Sequence, residues 1–571
     1  MTPISDRLSS RLTRHFFSAL FDFGFLSDAG VQSFTRLILG FYAVFLALGL
    51  LLVRIFMAKY GSLMDGESPE QYVAAVIADH AFLIAVPMWI VAFVTILIGH
   101  AVFPDETDFR VLMALPITRR LVFGAKLAAL ALFAGLFIAA AQVALAPLFV
   151  LTAVGPFAER TLALRALAYG TATLLASAFA ILAVIAAQGV ILKGAPRGRL
   201  VALAATLRSA MLCALVISLP FLIRLPFHTR ALREGAFWVT LTPPAWFMGL
   251  ERVFLGDRSP HMVQMATVAI VAFTVAGTVA ATSYALLYQR FDRVMARPSG
   301  GVQGWRERGV VWRWKWRTRR PVLSAIRAFT WLTLRRSVMH QGIFVTLGAV
   351  GLGLAVNTFI QADLFQWLAT GDPPGTRLVI AAIWATFALM FVAVLAARTA
   401  LLVPVELKAN WIFRIIEQDD RRVDQLKAGL RSVMTLGVVV PALLVAPVQW
   451  TVIRHDVFVV LASTILWGWL FVEILMRDWG RIPFTCSYIP GKGFLPQTIL
   501  KGLGSFVVFT TLGSGLARFS MSGFPVVLYF EAVVLLAAVV LARRRLNLWQ
   551  HTTLAFEDDL PTDVNPLRLM D

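Results

Sequence analysis

Acids and a proline stand ahead of two adjacent arginines in "VFPDETDFRVLMALPITRRLVFGAKLAALAL", Val102 to Leu132. Pro104, Glu106 and Asp108 come first, then apolar Leu112 and Leu115 with Pro116, then Arg119, Arg120 and Lys126. Apolar residues flanked by both charge signs suit a surface that docks another protein. The charges steer and set the register, and the apolar residues supply the buried contact. A solvated connector accounts for Arg119 and Arg120. It does not readily account for Asp105, Glu106 and Asp108, or for the "FRVLMALPI" between the charges.

Other chemistry is scarce. No G-x-x-x-x-G-K-[ST] occurs, and "IPGKGF" has the Gly-Lys without the frame, so no nucleotide site is expected in this chain. H-E-x-x-H, G-x-S-x-G and G-x-G-x-x-G are missing too, and no catalytic residue, cofactor or metal site is assigned. Cys213 and Cys486 lie far apart and support neither a zinc site nor a disulfide framework. Glu473 and Glu531 are the acids that fall inside apolar runs. A carrier driven by protons or sodium generally places ionisable groups near mid-membrane, and these two read instead as interfacial or interhelical hydrogen-bond partners. His228, Glu234, Glu251 and His261 are scattered over connecting segments and form no catalytic cluster.

These residues sit in a chain of 571 residues, of which 59% are hydrophobic and 15% charged. Mean hydropathy is +0.77. A soluble domain carries about 25% charged residues, so most of this chain must be solvated by lipid. A spanning helix needs roughly 20 mostly apolar residues, and only helices satisfy their own backbone in lipid. About twelve such runs fall near 36–57, 80–103, 122–151, 164–192, 207–227, 262–288, 342–360, 377–403, 431–453, 457–475, 499–517 and 525–542. The expected fold is all-α: a polytopic helical membrane protein, multi-pass in a bacterial-type plasma membrane. Lys and Arg gather in the N-terminal segment, in every second loop and after the last run, which predicts both termini in the cytoplasm. The net charge of +20 is then mainly a topology signal, and nucleic acid is not an expected partner. No removable signal peptide is read at "MTPISDRLSSRLTRHFF".

From Leu12 to Phe23 one helical face carries Leu12, Phe16, Phe17, Leu20 and Phe23, and such a helix is expected to lie in the membrane interface. Val322, Leu323, Ile326 and Phe329 form a weaker version before the seventh run, with Trp331 off the stripe. Between them a Gly-, Arg- and Trp-rich segment, 296–321, holds "VVWRWKWR", which suits anionic lipid headgroups as well as a linker. The opening stretch has an echo in "LVPVELKANWIFRIIEQDDRRVDQLKAGL". Pro404 and Glu406 answer to Pro104 and Glu106, Arg421 and Arg422 to Arg119 and Arg120, and Lys427 to Lys126, at offsets of 300 to 302. Arg414 lies within the same loop. A duplicated six-span unit follows, 1–295 and 322–571.

At Asp108, Leu112, Leu115-Pro116-Ile117, Arg119-Arg120 and Ala125-Lys126 the chain resembles the cytoplasmic loop between spans two and three of type-2 ABC exporter permeases. The resemblance is better over residues 10–295 than beyond. It implies a coupling helix seated in a separate ATPase subunit, two copies of which would bind ATP and Mg. It implies an amphipathic helix before span one. It also implies outer half-helices between spans five and six, where "FWVTLTPPAWFMGLERVFLG", Phe237 to Gly256, has the Pro-Pro break. By the same resemblance spans one and two of one half and span five of the other line the path. The second loop departs, with "FRIIEQDD" where Leu-Pro-Ile would stand. The second half also has little room for outer half-helices. The alternative is a self-sufficient secondary transporter, or a membrane enzyme acting on a lipid-linked substrate.

Overall fold

The computed structural model describes residues 3–19, 46, 49–50, 52–61, 63, 69–97, 117–153, 160–194, 200–295, 321–370, 373–404, 413, 422–485, 495–521, 525–551 and 554. Among the described residues there is no strand, and nine helical segments are long and apolar enough to cross a membrane. One of the nine, 422–475, is broken at Arg454–Asp456, where Arg454 takes φ 54°. The architecture is that of a polytopic helical membrane protein.

The chain opens with α1 (Pro3–Ala19), and a helical stretch at 52–61 belongs to the expected first span, most of which lies outside the described residues. Then come α2 (Pro69–Leu97), α3 (Arg119–Ala153), α4 (Leu162–Gly194) and α5 (Leu200–Arg224). Three short helices follow, α6 (Thr229–Glu234), α7 (Phe237–Thr240) and α8 (Pro243–Phe254), and then the long α9 (Pro260–Met295). The second half runs α10 (Pro321–Arg336), α11 (Val338–Gln361), α12 (Leu364–Thr370), α13 (Thr376–Leu402) and α14 (Arg422–Val433). A π-helical turn, Met434–Val439, joins α14 to α15 (Val440–Ile453). The chain then continues through α16 (Val457–Leu475), α17 (Leu495–Ser520) and α18 (Pro525–His551). The expected run at 499–517 is helical, within α17.

Helix α1 does not present its whole apolar face to lipid. Leu12 and Phe16 are buried against Ala125, Ala129 and Phe133 of α3, and the Lys126 Nζ stands 5.4 Å from the Phe16 ring centroid. Leu20 and Phe23 lie outside the described residues. Helix α10 repeats the arrangement: Leu323 and Ile326 enter the core of the second half while Trp331 stays 43% exposed. Helix α5 packs along α11. A Cβ on Gly353 would come within 2.9 Å of Val216 Cβ and 3.2 Å of the Cys213 carbonyl, so the missing side chain sets this close approach. Helices α7 and α8 sit between α5 and α9, broken at Leu241-Thr242, as the Pro243-Pro244 pair requires. Gly249 of α8 lets the backbone of α9 approach, since a Cβ there would lie 2.4 Å from Met265 Cβ.

Candidate functional site

Of the residues assigned to docking, Pro104, Glu106, Asp108, Leu112, Leu115 and Pro116 lie outside the described residues, as do Glu406, Arg414 and Arg421. Arg119 and Arg120 open the first turn of α3. Lys126, about two turns on, stands over Phe16 of α1, so the segment leaving the first loop is clasped by the N-terminal helix. In the second half Arg422 opens α14 and is only 9% exposed, and Lys427 is half-buried. Gln425, Leu426 and Ala428 of the same helix are buried, and Trp479 lies against Gly429. The end of the second loop is therefore built into the protein body.

The start of that loop is pinned as well. The Phe484 N–H donates to the Leu401 carbonyl at 3.0 Å, with Phe484 itself held at φ 67°. His340 Nε2 lies 3.0 Å from the Val403 carbonyl, its Nδ1 lies 2.6 Å from Ser337 Oγ, and its ring meets the edge of Phe484. A non-glycine residue at positive φ costs of order 1–3 kcal/mol and persists only where its surroundings over-determine it. Here a ladder of contacts from α11 and α13 does so.

The two acids expected inside apolar runs, Glu473 and Glu531, are paired between helices. Arg545 of α18 donates from Nε to Glu473 Oε2 at 2.7 Å and from Nη2 to Oε1 at 3.0 Å. Trp469 Nε1 donates to the same Oε1 at 3.0 Å, and the guanidinium lies 4.1 Å from the Trp549 ring centroid. Trp549 in turn donates to the Trp479 carbonyl at 2.5 Å. This joins α16, α18 and the segment packed on α14. Glu531 accepts from Ser463 Oγ at 2.5 Å and Ser520 Oγ at 3.4 Å.

The densest polar cluster lies in the first half, around α2 and α8. His80 stands roughly 16 Å along α2 from Pro69, near the helix midpoint. Its Nδ1 is 2.6 Å from Glu251 Oε1 and its Nε2 is 2.9 Å from Thr152 Oγ1. The Thr152 hydroxyl reaches the Phe149 carbonyl at 2.7 Å. Asp79 accepts from Lys59 Nζ at 2.8 Å and from the Tyr60 hydroxyl at 2.7 Å. Asp79, His80, Thr152, Glu251 and Arg252 are all buried. Phe149 stacks on Tyr169, and both rings flank His80. Basic Lys59 and Arg252 stand in the same cluster as acidic Asp79 and Glu251, as polar groups buried together require partners of opposite character.

Sequence reasoning gave Glu251 as one of several scattered residues and missed Lys59, Asp79 and His80. The signal was the adjacent Asp-His of "IADHAF" inside an apolar run. The expected run at 80–103 leaves both at its boundary, whereas α2 begins at Pro69. His228 and Glu234 stay at the surface, Glu234 3.6 Å from Arg230, and His261 packs on Gly235. Among the described residues no three His, Cys, Asp or Glu side chains converge as metal ligands. Comparison with family models, with curated proteins and with solved structures finds no match to this chain.

Proposed function

We propose that this chain is the membrane-embedded permease subunit of an ATP-driven exporter of the type-2 ABC class. In this reading it has twelve spans in two fused halves, 1–295 and 322–571, with both termini and the linker 296–321 on the cytoplasmic side of a bacterial-type plasma membrane. The observation that carries the reading is the clasp of α1 on α3 at Phe16 and Lys126, directly after the loop assigned to coupling. A push on residues 104–116 by a docked ATPase is passed into α3 and α1 together, because the two share a buried seam. Two further features support it. Helices α7 and α8 interrupt the connection between the fifth and sixth spans, and α5 packs on α11, so that the fifth span of one half faces the first of the other.

The mechanism follows from that arrangement. Two partner subunits, each binding ATP and Mg, close on nucleotide and bear on the loops at 104–126 and 404–427. The halves rock about the α5–α11 contact and open a path between them. The second loop has "FRIIEQDD" where Leu-Pro-Ile would stand, so the first loop is the stronger docking site. The test is hydrolysis: the purified chain alone turns over no ATP, and the activity appears only with a separate ATPase subunit. Turnover by the chain after removal of every other polypeptide contradicts the proposal.

A second reading is favoured by one observation, the cluster of ionisable residues at Lys59, Asp79, His80 and Glu251, the last three of them buried. It is a self-sufficient carrier driven by an ion gradient. Vesicles holding the chain alone separate the two readings, because only the second transports without ATP.

A further inference from the structure

The exporter reading makes no use of His80 and Glu251. Both ring nitrogens of His80 have partners. Glu251 Oε1 can only accept if it is a carboxylate, so Nδ1 donates to it across 2.6 Å. Nε2 faces the Thr152 hydroxyl at 2.9 Å, and that hydroxyl has a second partner, the Phe149 carbonyl at 2.7 Å. A hydroxyl both donates and accepts, and its hydrogen turns to suit. When Thr152 donates to Phe149, its oxygen accepts from an Nε2–H, and His80 is an imidazolium. When the hydroxyl turns and donates to Nε2, His80 is neutral and its Nδ1–H still reaches Glu251. One proton can arrive or leave with no ring nitrogen losing its partner.

The surroundings are suited to such a change. The stretch 52–61 presents Lys59 and Tyr60, and α2 presents Tyr72 and Asp79. Helix α4 contributes Tyr169 and, nearer its start, Arg165. Helix α8 contributes Glu251 and Arg252, and α3 contributes Thr152. Helix α9 contributes His261, which packs on Gly235. The pairs Arg233 with Glu70 and Arg230 with Glu234 lie outside on the exposed surface. Lys59, Arg165 and Arg252 stand with Asp79 and Glu251 in this cluster, and His80 is the member that can be either neutral or charged. Glu251 Oε2 is buried without a hydrogen-bond partner. Lys59, 28% exposed, is the less buried member of its ion pair.

We propose that His80, held between Glu251 and Thr152, is a proton-binding site, and that its charge state is felt by α8 through Glu251. The step balances: a proton from water adds to Nε2, the Thr152 hydroxyl turns from Nε2 to the Phe149 carbonyl, and no covalent bond breaks other than the one that delivered the proton. The proposal does not depend on an ATPase partner.

The full-length chain, labelled with nitrogen-15 at histidine and placed in lipid vesicles, tests it by magnetic resonance between about pH 5 and pH 9, the range a histidine charge change ordinarily spans. The His80 signals are assigned by their absence from H80Q. In the wild type the ring should pass from two N–H groups to one. In E251Q, which removes the anion, and in T152V, which removes the turning hydroxyl at nearly constant shape, that change should be lost. Either variant suffices if the other does not accumulate in folded form. A wild-type ring that holds one state throughout, or either folded variant changing state as the wild type does, overturns the proposal.

Discussion

Replacing Arg545 by alanine should destabilise the second half severely. Arg545 is 5% exposed and Glu473 1%, and two charge-assisted hydrogen bonds join them at 2.7 and 3.0 Å. Hydrogen bonds to charged groups contribute about 1.5–3 kcal/mol each, so the pair represents about 3–6 kcal/mol. Removing one partner of a buried ion pair costs about 3–5 kcal/mol by a separate line of reasoning, because the remaining charge is stranded. The two agree. The lost stacking on Trp549, at 4.1 Å, adds on the order of 1 kcal/mol. Glu473 does keep the Trp469 hydrogen bond, which softens the loss. The expected cost of Arg545→Ala is thus about 3–5 kcal/mol, read from reversible detergent or denaturant unfolding of the purified chain. Arg545→Lys, which keeps charge but not the two-pronged geometry, should fall between. The double change Glu473→Leu with Arg545→Leu should recover much of the loss, since no charge remains buried. A cost under 1 kcal/mol for Arg545→Ala, or a double variant worse than either single one, refutes the reasoning.

Other consequences follow from the same contacts. Phe16→Ala should cost about 3–5 kcal/mol of α1 docking, seen as protease cleavage within 3–19 at a site the wild type protects. Gly353→Val should overpack the α5–α11 seam by about 1–3 kcal/mol, lowering the unfolding midpoint, whereas Gly348→Ala on the same helix, where a Cβ meets nothing within 4 Å, should not. With Cys213 and Cys486 replaced by serine, cysteine at Gly301 should resist an impermeant thiol reagent in intact cells while cysteine at Ser68 reacts; the reverse pattern inverts the orientation.

The helices themselves were legible. Long apolar runs leave a chain no other way to satisfy its backbone in lipid, and α3, α4, α9, α11 and α13 appear where hydropathy puts them. The break before Pro243-Pro244 and the exposure of Trp331 were legible too, because proline chemistry and helical periodicity act locally. The partners of ionisable residues were not. Glu473 and Arg545 are 72 residues apart, and His80 and Glu251 are 171 apart. Nothing in either local pattern marks which distant residue will neutralise it. The seat of α1 was half legible: periodicity gave the face with Leu12 and Phe16, but apolar residues do not say whether lipid or the small residues Ala125 and Ala129 will cover them.

The central claim is that residues 104–126 seat an ATPase subunit. Recovery of that subunit by pull-down, against wild-type and variant chains at matched membrane levels, tests it most directly. Truncating one member of a desolvated charge pair at an interface costs about 2–5 kcal/mol, which is 30-fold or more in affinity. Glu106→Lys with Asp108→Lys, or Leu112→Asp, should therefore abolish recovery while the chain still reaches the membrane. Changes at Glu406 and Arg414 should reduce it less. Equal recovery from every variant contradicts the account and leaves the first loop a solvated connector.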